Sequence, residues 1–350
     1  MLYELARACL FKTNPETAHA LIMNNIDMAV NLGLTKLVTG PKINDPVTVM
    51  GLQFPNAIGL AAGMDKTASH VTALGELGFG HIEVGTITPY AQDGNPKPRL
   101  WRLIPAEGII NHMGFNNCGA DQCISNIRSA RGYRAAGGIV GINIGKQNST
   151  PLSGALDDYI QCMQKLYEYA DYLALDISCP NTPQLLELQA GNDLSELLKG
   201  VAETRRKLED IHGKRVPITV KISPDLDDDA VRSAADNFVK FGMDAVTATN
   251  TTTSRKGVED LPIEGKVGGL SGRPLFERST AVVRVLSEHL KGELPIIASG
   301  GVITPEHAVA KMEAGASLVQ IYTGFIYTGP ELISTAGSAV SLWRRANGKS

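Results

Sequence analysis

From about residue 56 onward, short apolar runs alternate with amphipathic helical stretches, and this alternation constrains the fold more than any other feature of the chain. The runs occupy residues 57–62, 81–86, 139–145, 172–178, 218–223, 245–250, 295–300 and 318–323, which makes eight. Several are continuously apolar and end in Gly, Pro or polar residues, as strands covered on both faces should be. The spacing after the third run, about 25 to 50 residues, suits right-handed βα units. Eight such units predict an α/β fold, a (β/α)8 TIM barrel. A doubly wound open sheet is the alternative, but no GxGxxG follows the first run.

Two segments break the repeat. Residues 87–138 form an excursion of about 50 residues between the second and third runs, which in a barrel would cover the mouth. Residues 1–38 read as two short helices, with Leu2, Leu5, Ala6, Cys9 and Leu10 at helical spacing, then Ala18, Leu21, Ile22, Ile26 and Ala29, broken by Asn25. Asn14, Pro15 and Glu16 look like a helix start, with Pro at the first helical position. The helices either pack on the barrel or form a small apolar module that meets a membrane. The expected division is a helical module over residues 1–40 and a barrel over residues 41–350.

Composition excludes several classes. The chain has 350 residues, 43% hydrophobic and 20% charged, enough for one large core. A net charge of -3 without a long Lys or Arg run gives no reason to expect a nucleic-acid partner. Five cysteines form no CxxC pair and no HExxH is present, so neither a disulfide framework nor a metal site is expected. No run of 18 apolar residues occurs, and the N-terminus lacks a small-residue cleavage pattern.

Chemistry-bearing residues gather at the ends of the runs. The fourth ends in Asp176-Ile-Ser-Cys-Pro-Asn-Thr182, with Pro180 and Pro183 stopping the strand. The first ends in Ala61-Ala-Gly-Met-Asp-Lys66, and the third carries Asn143, expected to point into the barrel mouth. The fifth ends at Lys221 and the sixth in Ala248-Thr-Asn-Thr-Thr252. Gly300-Gly301 and Tyr322-Thr-Gly324 follow the seventh and eighth, where such barrels bind phosphate through backbone N–H groups. Gly268-Gly-Leu-Ser-Gly272 reads as a third Gly-rich turn. Amides and hydroxyls dominate the rest: Asn111, Asn143, Asn181, Asn250, Thr86, Thr249 and Thr251. That inventory suits a flat polar ring and a small anion, and not a paired-carboxylate hydrolase. A phosphate tail, such a ring and one poised thiol point to a flavin mononucleotide (FMN) oxidoreductase.

Over nearly its whole length the chain resembles the dihydroorotate dehydrogenases, most closely their membrane-associated, quinone-using class. The motifs are Gly59-Leu-Ala-Ala-Gly-Met-Asp-Lys66, Asn111-His-Met-Gly-Phe-Asn-Asn117, Gly141-Ile-Asn-Ile-Gly145, Cys179-Pro-Asn-Thr182, Val220-Lys-Ile-Ser-Pro-Asp-Leu226, Ala248-Thr-Asn-Thr-Thr252, Gly268-Gly-Leu-Ser-Gly-Arg-Pro-Leu275 and Leu318-Val-Gln-Ile-Tyr-Thr-Gly-Phe325. The resemblance implies one non-covalent FMN held by Ala62, Gly63, Lys66, Thr86, Asn143, Asp176, Lys221, Thr249, Gly272, Gly301, Tyr322 and Thr323. It implies dihydroorotate, or its product orotate, held by Lys66, Asn111, Met113, Gly114, Phe115, Asp176, Asn181, Asn250 and Thr251. Cys179 would be the base, Thr182 and Phe115 would help its proton leave, and His19 and Arg102 would line a quinone tunnel. The quinone-using class typically carries Ser where this chain has Cys179, and the family usually has Asn where it has Asp176.

The resemblance further implies a step in pyrimidine (UMP) biosynthesis by a monomer, peripheral on the cytoplasmic face of a cell inner membrane, bacterial in type and without a transit peptide. A soluble enzyme of the same family is favoured by Cys179 and disfavoured by the N-terminal helices and Arg102. A flavin barrel acting on transfer RNA would call for a basic face.

Overall fold

Each barrel strand is a short, almost wholly buried run released into a loop that bears function, and all but the first follow a helix. The computed structural model describes residues 2–182, 184–189 and 191–349; Met1 and Pro183, both read above, lie outside the described residues. The strands are β1 (Ile58–Leu60), β2 (His81–Ile87), β3 (Ile139–Ile144), β4 (Tyr172–Asp176), β5 (Ile218–Ile222), β6 (Ala245–Ala248), β7 (Ile296–Ser299) and β8 (Leu318–Ile321). They are all parallel, and they close in chain order, β8 pairing with β1 through Gln320 opposite Gly59. This is the (β/α)8 barrel expected from the eight runs. All the strands but β2 end a little earlier than the apolar runs do. Ser178, Cys179 and Asn250 therefore lie just past strand ends, with Cys179 and Asn250 facing the mouth.

Two accessory sheets frame the barrel. A hairpin, Val47–Val49 with Leu52–Phe54, lies below, and Phe54 meets the ring of His81 edge-on at 5.3 Å. Above the mouth, Leu100–Leu103, Gly108–Asn111 and Gly269–Gly272 form a three-stranded antiparallel sheet. The excursion between β2 and β3 does supply the cover. The third Gly-rich turn, however, is a strand. Its glycines are needed for close approach: a Cβ on Gly269 would lie 1.8 Å from the Thr251 hydroxyl oxygen, and one on Gly268 would lie 2.0 Å from the Asn111 carbonyl.

The N-terminal helices are α1 (Leu2–Leu10) and α2 (Pro15–Asn31), followed by a 3-10 turn over Leu34–Leu37. Asn14 caps α2, its side-chain oxygen accepting from the N–H of Glu16 at 2.9 Å and of Thr17 at 3.3 Å. Ala18, Met23 and Ile26 of α2 are buried, and polar contacts tie the pair down further. Tyr3 donates to the Ile326 carbonyl at 2.7 Å, Arg7 donates to the Tyr327 carbonyl, and Glu16 pairs with the buried Arg99 at 3.0 Å. Among the described residues no helix is long and apolar enough to cross a membrane.

Candidate functional site

One cavity of about 1480 Å³ begins between α1 and α2 and runs down to the strand ends of the barrel. It is larger than the usual pocket for one small ligand, so two or three molecules could share it end to end. His19, Arg102 and the apolar side chains of α1 and α2 line its outer part. Gly63, Lys66, Asn111, Met113, Phe115, Asp176, Cys179, Asn181, Lys221, Thr249, Asn250, Thr251, Gly272, Gly301, Tyr322 and Thr323 line its inner part. Ala62, Thr86, Gly114, Asn143 and Thr182 are not on that lining.

Asn143 corrects one expectation. It is wholly buried in the barrel interior and does not point into the mouth. Its amide donates to Glu83 at 2.9 Å, and its oxygen accepts from the Thr86 hydroxyl at 2.6 Å. The Glu83 carboxylate also accepts from Tyr172 at 3.0 Å and Gln320 at 2.9 Å. Three donors thus compensate an acid with no exposed surface. Gln320, which does line the cavity, keeps its own side-chain oxygen without a partner. The apolar runs hid this network, because Glu83 and Gln320 each sit singly among strand residues.

The reactive corner lies after β4. Asp176 is buried, and burial raises its pKa; the nearby Lys221 cation and the Ser178 hydrogen bonds oppose the shift. The carboxylate accepts from Asn250 at 3.1 Å, and from the Ser178 N–H at 3.1 Å and hydroxyl at 3.0 Å. An amide and a hydroxyl, rather than a directly paired lysine, hold it. Burial pushes the Cys179 thiol up to about 12, and the Asp176 charge adds to the rise. The Asn181 N–H, the Thr182 hydroxyl and Lys221 work the other way. A thiol titrating near ~8.5, as in an open peptide, is therefore not what the folded site holds.

Around this corner the amides pair with one another. Asn181 donates to the Asn111 side-chain oxygen at 3.0 Å, and the Asn250 side-chain oxygen accepts from the Thr251 N–H at 2.8 Å. Phe115 sits at φ 53°, held by Gln92, which donates to its carbonyl at 3.0 Å. Lys66 donates to the Gly63 carbonyl at 2.5 Å, and burial draws its pKa down to about 8. Burial lowers the His19 pKa to about 3, with Lys66 and His70 adding to the effect, so the imidazole is neutral. Arg102 donates to the Thr13 carbonyl at 2.9 Å and lies 4.7 Å from the Phe11 ring centroid.

The opposite side of the mouth is backbone. Gly301 (φ 79°) and Gly272 (φ 93°) have conformations that favour glycine, and a Cβ on Gly301 would meet the Phe276 backbone at 2.3 Å. Tyr322 donates to the Gly63 carbonyl at 3.2 Å, and Thr323 is 2.9 Å from the Ser271 hydroxyl oxygen. The bare backbone, the lysines and the unpaired Gln320 acceptor fit a phosphate-bearing ring with an N–H of its own. No group of three or more His, Cys, Asp or Glu is placed to bind a metal among the described residues.

Comparison with known proteins shows the family. Residues 46–338 match the family model described as dihydroorotate dehydrogenase. A dihydroorotate dehydrogenase (quinone) of Teredinibacter turnerae is 53% identical over 340 residues, covering 97% of this chain and 99% of its own. One from Pseudomonas putida is 50% identical over 99% of this chain and 100% of its own. A crystal structure of DHODH from Eimeria tenella in complex with ferulenol superposes with a TM-score of 0.86 at 36% identity, covering 95% of this chain and 92% of its own.

Proposed function

The chain belongs to the dihydroorotate dehydrogenase family, and from that premise we propose that it oxidises dihydroorotate to orotate and passes the electrons through FMN to a membrane quinone. The observation that carries this reading is the continuity of one cavity, from the thiol and amides at the strand ends to the apolar channel between α1 and α2. It supports two half-reactions in one protein, with the cofactor between them.

FMN, when bound, supplies the hydride acceptor. The glycine turns after β7 and β8 would hold its phosphate, and Lys66, Lys221, Thr249 and Gln320 would hold its ring. Asn111, Asn181, Asn250 and Thr251 orient dihydroorotate by hydrogen bonds to its ring amides and carboxylate. Cys179 takes the C5 proton as hydride leaves C6, and Thr182 and Phe115 define the path by which that proton departs. The raised thiol pKa sets a demand on the site: Asp176 must be neutral, or offset by Lys221, for the thiolate to form. The three-stranded cover and the buried corner exclude water from the reacting atoms.

His19 and Arg102 line the quinone approach, and α1 and α2 rest on the membrane surface without spanning it. Residues 1–40 then serve the quinone half-reaction, and residues 41–350 serve the dihydroorotate half-reaction. We place the protein on the cytoplasmic face of the inner membrane as a monomer.

The experiment that tests the cofactor assignment is simple. The purified protein should be yellow and release one FMN per chain on denaturation. A colourless preparation that takes up no added flavin would contradict it.

A further inference from the structure

Behind the Gly300-Gly301 turn lies a lysine that the reaction does not use. Lys311, on the helix Pro305–Glu313, is completely buried. Its ammonium donates to the Ser279 hydroxyl at 2.6 Å, and Ser279 donates in turn to the Gly300 carbonyl at 2.9 Å. Its other near neighbour is the Phe276 ring, 5.0 Å away, which is itself stacked on His307 at 4.1 Å. The same Phe276 backbone abuts Gly301.

A buried cation held by one hydroxyl and one aromatic face is under-compensated. Burial draws its pKa down to about 7, and Glu277, which opposes the shift, is exposed. What the position lacks is an anion, and the turn it supports is the one read above as a phosphate cradle.

We propose that Lys311 is the buried counter-charge to the cofactor's phosphate, acting from behind the Gly300-Gly301 turn rather than touching the phosphate. The proposal rests on the FMN reading of the site and assigns to it a positioning residue. Two hydrogen bonds separate the ammonium from the turn. An ion pair at about 8 Å in a medium of effective dielectric about 20 corresponds to an affinity factor of about 30. The interaction discriminates by phosphate alone, because riboflavin shares the ring and ribityl chain but carries no anion.

The test strips flavin from the holoprotein and titrates FMN or riboflavin back, following flavin fluorescence. Lys311→Met should weaken FMN about 30-fold and leave riboflavin within about twofold of the parent. Lys311→Gln, which keeps a donor for Ser279 but no charge, should behave alike and provides the reading should the Met variant not fold. Ser279→Ala removes the hydrogen-bonded link but not the charge and should retain most of the FMN preference. In phosphorus NMR of the bound cofactor, the phosphate of either Lys311 variant should take up its second proton at higher pH than in the parent. Equal losses of FMN and riboflavin, unchanged FMN affinity, or a Ser279→Ala loss as large as that of Lys311→Met would each overturn the proposal. A parent that binds riboflavin as tightly as FMN would overturn the phosphate cradle as well, which separates the two failures.

Discussion

The barrel mouth and the N-terminal helices are built on opposite principles. Every residue of β2, β4 and β5 is buried, and at the end of β4 Asp176 is held by Ser178 and Asn250, and Asn181 by Asn111. In α1 no residue is buried, and Leu5, Leu32 and Leu37 of the N-terminal segment are 69%, 66% and 67% exposed. The mouth is thus preorganised, as proton removal from carbon requires. The helices leave apolar surface uncovered, which has a use only where something apolar, a lipid surface or a quinone tail, covers it. The two regions share one cavity but should fail separately.

The largest expected effect comes from removing one region entirely. Deleting residues 1–38 should abolish quinone reduction while dihydroorotate still bleaches the flavin, measured anaerobically in the same preparation. Full quinone activity in the truncated protein would end the division of labour drawn above.

Next is the base. Cys179→Ala should slow flavin reduction by about 10²- to 10⁴-fold with flavin still bound, the range typical of a lost general base. Cys179→Ser should recover part of the rate and move the pH optimum upward, because a hydroxyl is less acidic than a thiol. If the thiol only packed the turn, stopped-flow reduction of Cys179→Ala would match the parent.

A subtler change touches the charge beside the base. The thiol's pKa is raised, so the thiolate fraction, and with it the reduction rate, should climb with pH in the parent. Asp176→Asn removes the second cause of that rise, so the rising limb should shift to lower pH. Orotate should bind at least as well and with a flatter pH dependence, since a carboxylate facing a carboxylate ligand is gone. Severe loss of orotate binding in this variant would show that the Asp176 charge itself is needed.

The smallest effect concerns how the regions join. Arg99 is buried and donates to the Asp93 and Asn95 carbonyls as well as to Glu16. Glu16→Gln should therefore cost only about 1–3 kcal/mol, the range for weakening one charge-assisted bond while the others remain. Thermal unfolding should report it, and quinone turnover should fall more than flavin bleaching.

What the sequence made legible follows the same divide. Strands covered on both faces are mostly apolar, so the eight runs, their order and the groups at their ends could be read directly. Asn14 and Pro15 marked the start of α2 because capping is local chemistry. Non-local facts stayed hidden. Gly269–Gly272 is a strand only because Gly108–Asn111, distant in the chain, pairs with it. Asn143 turns inward because Glu83 offers it an acceptor, and Cys179 titrates high because other elements bury it. Lys311 is buried only because the helix Pro305–Glu313 packs on Ser279 and Phe276, contacts that no local pattern shows.

The most direct test of the account is a double-mixing experiment on the intact holoprotein. Anaerobic dihydroorotate is added first and a short-chain quinone second, while the visible flavin absorbance is followed. The account predicts bleaching in the first step with orotate formed, then recovery of colour in the second, and in the protein lacking residues 1–38 bleaching without recovery by quinone. A flavin that dihydroorotate leaves oxidised, or a truncated protein that quinone reoxidises at the parent rate, would contradict it.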